Sequence, residues 1–322
     1  MAEKGVASAM SHAFVFPGQA SQAVGMGREV AAAFPAACEV FEEIDDTLGQ
    51  KLSKLMFEGP EDELTLTENA QPAIMAVSLA VMRVLARDGG LNLAASAAYL
   101  AGHSLGEYSA LAAGGSLGLA DTARLLKIRG RAMQQAVPVG QGAMAALMGL
   151  DLDAADAVAK EAALGEVCQA ANDNAPGQVV VSGSAGAVAR AVDIAKSKGA
   201  KRAIMLPVSA PFHCALMAPA ADAMADALAK VAMSPLAVPL VANVTAQPVT
   251  APAEIRRLLV EQVTGVVRWR ESVLYMKEHG VTHIVEIGAG RVLAGLCKRI
   301  DGDLDCVSVG TPETIEEFLK TL

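Results

Sequence analysis

Residues 97–106 read Ala97-Ala98-Tyr99-Leu100-Ala101-Gly102-His103-Ser104-Leu105-Gly106. The run Ala97–Ala101 has the apolar character of a buried strand, and a helical pattern resumes at Glu107. Between them lies G-x-S-x-G in the setting that gives the motif meaning, strand before and helix after. The glycines permit a sharp strand-to-helix bend that lifts the Ser104 hydroxyl out of the sheet edge. The helix that follows aims free N–H groups at the same spot, where they can stabilise developing negative charge. A strand that hands over directly to a helix is the unit of an α/β fold with a mostly parallel sheet.

Working outward, Ala13-Phe14-Val15-Phe16, stopped by Pro17-Gly18, is the first strand, and residues 1–12 read as a frayed lead-in. Helical periodicity covers 27–49 and 71–88, with Pro72 in a first turn, where proline is tolerated. A further helix runs from about Leu119 to Gln135. The pattern then changes. Met144–Leu150, Val167–Ala171, Gln178–Ser182 and Arg202–Leu206 read as strands, with helices at Asp153–Ala163 and Ala185–Ser197. Asn172-Asp173-Asn174-Ala175-Pro176-Gly177 is rich in turn formers and reads as the connection between the two middle strands. The order β-α-β-β-α-β predicts a ferredoxin-like small domain at 138–206, inserted into a large α/β domain made of 1–137 and 207–322. Beyond Pro207 the helical stretches are Ala215–Val231, Ala253–Gln262, Trp269–His279 and Val292–Ile300. Leu236–Asn243 and Thr282–Ile287 are the strand candidates there.

Composition narrows the function. Of 322 residues, 53% are hydrophobic and 19% charged, which excludes a disordered chain. A net charge of −9 repels phosphate backbones, so nucleic acid is not an expected partner, and an anionic substrate must be held by local cations. The five cysteines, Cys38, Cys168, Cys214, Cys297 and Cys306, show no C-x-x-C spacing. They predict neither a disulfide framework nor a metal site, and suit a reducing compartment. MAEKGVASAMSH lacks the apolar stretch of a signal peptide, and no run of about 18 apolar residues predicts a membrane span. A cytoplasmic protein is the expectation.

A serine hydroxyl needs a base. Of His12, His103, His213, His279 and His283, the first falls in the lead-in, the second is too close along the chain to face Ser104, and His279 ends a helix. His213, in the loop Ser209-Ala210-Pro211-Phe212-His213-Cys214 between a strand and a helix, is the best candidate. No single Asp or Glu stands out to orient it.

Five motifs occur in order: Phe16-Pro17-Gly18-Gln19-Ala20-Ser21-Gln22; Gly102-His103-Ser104-Leu105-Gly106-Glu107-Tyr108; Arg129-Gly130-Arg131-Ala132-Met133-Gln134; Asn174-Ala175-Pro176-Gly177-Gln178; and Pro211-Phe212-His213-Cys214-Ala215-Leu216-Met217. Together, over residues 13 to about 310, they resemble the malonyl-CoA:acyl carrier protein transacylase family, relatives of the acyltransferase domains of fatty acid and polyketide synthesis. The resemblance implies an α/β-hydrolase-like core with a ferredoxin-like insert. It implies that Ser104 takes a malonyl group from the coenzyme A thioester and that His213 moves the protons. The phosphopantetheine thiol of an acyl carrier protein then accepts the group, with no permanently bound cofactor. It further assigns the oxyanion hole to the backbone N–H groups of Gln19 and Leu105, the malonyl carboxylate to Arg129, orientation of His213 to the Gln262 main-chain carbonyl, and acyl selectivity to Phe212. Where many relatives carry Asn-Pro after that carbonyl, this chain has Gly265-Val266.

Two basic groups are rival landing sites for an acidic carrier: Lys196, Lys198, Lys201 and Arg202, or Arg268, Arg270, Lys298 and Arg299. Three other functions share these features: a serine hydrolase or thioesterase with the same elbow, a non-catalytic carrier-docking subunit, and a transacylase for another acyl group.

Overall fold

The computed structural model describes residues 12–321. Residues 1–11 and 322 lie outside the described residues, and with them most of the expected lead-in. Among the described residues ten strands form two sheets: β1 (His12–Phe16), β2 (Tyr99–Gly102), β3 (Gly142–Met148), β4 (Cys168–Ala175), β5 (Gln178–Ser184), β6 (Arg202–Met205), β7 (Leu240–Val241), β8 (Pro248–Val249), β9 (His283–Ile287) and β10 (Asp305–Val309). The large sheet has the order β10-β9-β1-β2-β7-β8, parallel as far as β7 and closed by antiparallel β8. The small sheet, β4-β5-β3-β6, is antiparallel throughout.

The chain is therefore a mixed α/β protein, as its strand–helix alternation predicts. β1 and β2 lie side by side with Phe16 opposite Gly102, so the loops leaving both strands meet at the carboxyl end of the sheet. Open α/β sheets bind ligands at this end. The small sheet carries the helices Leu152–Ala163 and Ala185–Ser197 and encloses its own apolar core, including Leu147, Val158, Val181 and Val188.

Several elements differ from the reading above. His12 opens β1 rather than a loose tail, and its ring stacks on His283 with centroids 4.7 Å apart. The helix expected over 27–49 is two, Arg28–Ala33 and Pro35–Leu48. Phe34 between them is extended, at φ −128° and ψ 114°, because the Pro35 ring excludes the helical region for the residue before it. The next long helix starts at Thr67, not 71, so Pro72 sits inside Thr67–Arg87 and has no N–H to offer the carbonyl of Glu68. By length and composition this helix could cross a membrane. Its residues are buried against the rest of the chain, which makes it the central core helix. The strand expected within 236–243, broken at Pro239, is Leu240–Val241. β10 and the closing helix Pro312–Leu319 were not foreseen, although Thr311 caps that helix through the Thr314 N–H and Pro312 occupies its first turn.

The largest difference lies at 172–174. Asn172, Asp173 and Asn174 are strand residues of β4, and the turn shrinks to Pro176-Gly177. These polar residues do not leave the sheet because each finds a partner on the large body. Asn172 bridges Val267 in parallel, with backbone bonds from Asp173 N to Val267 O and from Val267 N to Ala171 O, each 2.9 Å. Asp173, 1% exposed, takes the Arg270 guanidinium at 2.8 Å. Asn174 meets the His103 ring. Polar side chains that look like loop formers are here the joint between two sheets. Arg270→Ala would strand a buried carboxylate. We expect it to lower stability by about 3 kcal/mol, read as a fall in urea midpoint, and Asp173→Asn in that background to recover part of the loss.

Candidate active site

The elbow is tight enough to require its glycines. A Cβ on Gly102 would lie 2.0 Å from the Gly106 carbonyl carbon, and one on Gly106 would lie 2.2 Å from Phe16 O. Ser104 sits at the apex with φ 53°, in the left-handed region, a conformation that costs a non-glycine residue about 1–3 kcal/mol. Two amides hold it there. The Asn243 side-chain oxygen accepts the Ser104 N–H at 2.8 Å, and Gln262 Nε2 donates to the Ser104 carbonyl at 2.9 Å.

The Ser104 hydroxyl faces His213, with Oγ 2.8 Å from Nε2. The other ring nitrogen, Nδ1, donates to the Gln262 main-chain carbonyl at 2.8 Å. A carbonyl can only accept, so the proton is on Nδ1 and Nε2 is free to take the serine proton. His213 itself has φ 58°, so both members of the pair are presented by left-handed residues. Burial, with the nearby Arg129 charge second, pushes the His213 imidazole down to about 3. The ring is neutral at neutral pH, the state a base needs.

Arg129 is 1% exposed and lies under the serine. Its Nη2 donates to Ser104 Oγ at 3.0 Å and to Gln262 Oε1 at 2.8 Å, and Nη1 donates to Gln71 Oε1 at 2.8 Å. The guanidinium lies 5.7 Å over the Tyr108 ring. Gly130 lets its helix, Leu119–Ala136, reach this depth: a Cβ there would meet the Glu68 Cα at 2.5 Å and Thr67 O at 2.6 Å.

Gln19 follows β1 and Leu105 follows the serine, and both line the cavity above it, which holds about 280 Å³. No described group accepts from either backbone N–H. The Gln19 side chain is tied down by the Thr67 hydroxyl at 2.9 Å. Phe212, Met133, Val180 and Leu296 supply apolar wall. The structure thus brings Ser104, His213, Arg129, Gln19, Leu105, Gln262 and Phe212 into one place. Gln71, Asn243 and Glu107 belong to the same hydrogen-bonded set and were not singled out from sequence. Glu107 stood inside a quoted motif, but nothing in the spacing gave it a task.

Such an arrangement can pass an acyl group from one nucleophile to another. Residues 13–301 match the acyl transferase domain, and the chain belongs to that family. It is an acyltransferase. It is 46% identical over 314 residues to the malonyl CoA-acyl carrier protein transacylase of Bacillus subtilis, covering 96% of each chain. To the Escherichia coli K12 protein of the same name it is 46% identical over 308 residues, covering 96% of this chain and 98% of the other. Among solved structures, the acyl-carrier-protein-S-malonyltransferase of Bartonella henselae superposes with a TM-score of 0.95 at 55% identity, over 97% and 99% of the two chains. The malonyl-transacylase bound to its type II polyketide synthase acyl-carrier protein gives 0.93 at 44% identity, over 97% and 100%.

The depressed His213 value makes two predictions. Between about pH 3 and its ordinary 6.5 the unfolded chain holds a proton that the folded ring refuses, so stability falls as the pH drops through that window. By histidine-selective NMR the His213 ring stays neutral from pH 5 to 8, and its titration moves upward in Arg129→Ala.

Proposed function

We propose that this acyltransferase moves the malonyl group of malonyl-CoA to the phosphopantetheine thiol of an acyl carrier protein through a malonyl-Ser104 intermediate, supplying fatty acid synthesis. One observation carries the reading: Ser104 Oγ lies between a neutral base, His213 Nε2, and a buried cation, Arg129 Nη2. As Ser104 attacks the thioester carbonyl, its proton passes to Nε2. The tetrahedral oxyanion is taken by the Gln19 and Leu105 N–H groups, each worth about 2.7–4 kcal/mol in reactions of this kind. The imidazolium then protonates the leaving thiolate, and the carrier thiol returns by the same path in reverse. Arg129 takes the malonyl carboxylate, a task suited to a guanidinium already stripped of water. Phe212 forms the wall against a branched substrate.

The hydrolase alternative is the weaker reading. His213 leans on a main-chain carbonyl rather than a carboxylate, and a buried cation in the pocket has no use for a neutral acyl group.

We read 138–206 as a ferredoxin-like insert between the halves, 1–137 and 207–322, of an α/β-hydrolase-like domain. The alternating order β4-β5-β3-β6 with two helices supports it. The cytoplasm suits five free cysteines.

For the carrier, the two rival basic groups merge. Lys196, Lys198, Arg268 and Arg270 are engaged by Asp193, Glu161, Glu271 and Asp173. Lys298 donates to the Leu304 carbonyl. Arg299 reaches Gln178 of β5, which lines the cavity, and both Gln178 and Arg202 pair with Met148 of β3. We read Lys201, Arg202 and Arg299 as the landing site of an acidic carrier bearing a phosphopantetheine arm, a reading supported by the Arg299 bond to cavity-lining Gln178.

Intact-mass analysis after exposure to malonyl-CoA should show one malonyl adduct, mapped to Ser104, and none in Ser104→Ala. Steady release of free malonate without an adduct would favour the hydrolase. Arg129→Ala should lose malonyl-over-acetyl preference by about 100-fold, a charge-assisted pair being worth about 3 kcal/mol. Reversing Lys201, Arg202 and Arg299 to Glu should raise the KM for the carrier while leaving acylation by malonyl-CoA intact.

A further inference from the structure

Glu107 is 1% exposed and sits one turn beyond the serine, on the helix Gly106–Ala113. Each of its carboxyl oxygens accepts an N–H. Oε1 takes the Asn243 backbone N–H at 2.7 Å, and Oε2 takes Gln262 Nε2. At its other end the same Gln262 amide accepts from Arg129 Nη2 at 2.8 Å. The amide therefore stands between a cation and an acid, its oxygen towards Arg129 and its nitrogen towards Glu107. A primary amide has two ends of similar shape, and only its partners decide which way round it sits. Arg129 can only donate, and Glu107 as placed accepts at both oxygens.

We propose that Glu107 is a positioning residue for acyl selectivity: through the Gln262 side-chain amide it fixes the Arg129 guanidinium in the place where the substrate carboxylate is gripped. The proposal rests on the reading of Arg129 given above. Glu107 touches no substrate. Through Gln262 and Asn243 it reaches the whole site: Asn243 Oδ1 holds the Ser104 N–H, and the Gln262 carbonyl holds His213. The bridge to Arg129 runs through the Gln262 side chain alone, whereas His213 uses the main chain. The two effects are therefore separable by mutation. Burial pushes the Glu107 carboxyl up, while the Asn243 and Gln262 donors and the Arg129 charge favour the ionised form, the form in which both oxygens accept.

The test compares malonyl-CoA and acetyl-CoA as donors in single-turnover acylation. Glu107→Gln has the same shape but only one acceptor, so a donor must face a donor, either at Asn243 or at Gln262. We expect the malonyl-to-acetyl ratio of acylation rates to fall about tenfold, with acetyl acylation changed much less. In the Arg129→Ala background, Glu107→Gln should have no further effect on the ratio, because the group it positions is gone. Gln262→Leu cuts the same bridge while keeping the main-chain carbonyl for His213; it also loses the bond to the Ser104 carbonyl, which slows both donors alike, so the ratio is the readout and should fall similarly even if Glu107→Gln does not fold. Equal losses for both donors, an unchanged ratio in Gln262→Leu, or additive losses in the double variant would each overturn the proposal. If wild-type protein forms no malonyl-Ser104, the function proposed above fails. If it forms the adduct and the ratio does not move, only the role of Glu107 fails.

Discussion

A guanidinium removed from water must be surrounded by acceptors, since the penalty for an unpaired buried charge is several kcal/mol. The site is organised around that constraint. Arg129 draws Gln71, Gln262 and the Ser104 hydroxyl to itself, and Gln262 in turn draws in Glu107, His213 and the Ser104 carbonyl. The cation that would select the substrate is thus also the hub that fixes the nucleophile and, through Gln262, its base. Such a network is costly when broken.

The cation also shapes the chemistry of its neighbours. Its field adds to burial in keeping the His213 ring neutral, and works against burial at Glu107. Arg129 thus favours deprotonated groups on both sides of it, the condition under which a serine proton has somewhere to go.

The second constraint is the joint between sheets. The elbow belongs to the large sheet and one part of the cavity wall, including Met144, Asn174 and Val180, to the small one, so their relative placement shapes the site. Asn172, Asp173 and Asn174 make that joint, and Asn174 hydrogen-bonds the ring of His103, next to the nucleophile. His103 was set aside as a base because adjacent residues rarely face one another. Its ring instead spans the two sheets and lies 5.8 Å from Trp269.

Local sequence determined the elements whose cause is local: the strand-to-helix bend at Ser104, apolar β1 and β2, and the alternation that made the chain α/β. It erred where a neighbour along the chain was overlooked, as at Pro35, and where partners lie far away. Asn172–Asn174 read as a turn because their polarity suits one, and only partners far along the chain, Val267, Arg270 and His103, satisfy them where they stand in β4. The same holds within the site. Glycines around a serine announce a nucleophile by themselves, because backbone geometry is a local property. That His213, Gln262, Glu107 and Arg129 share one network was decided by tertiary structure. Hydrogen bonds join them across 49 to 155 positions of chain, and no local pattern encodes which buried donor will meet which acceptor.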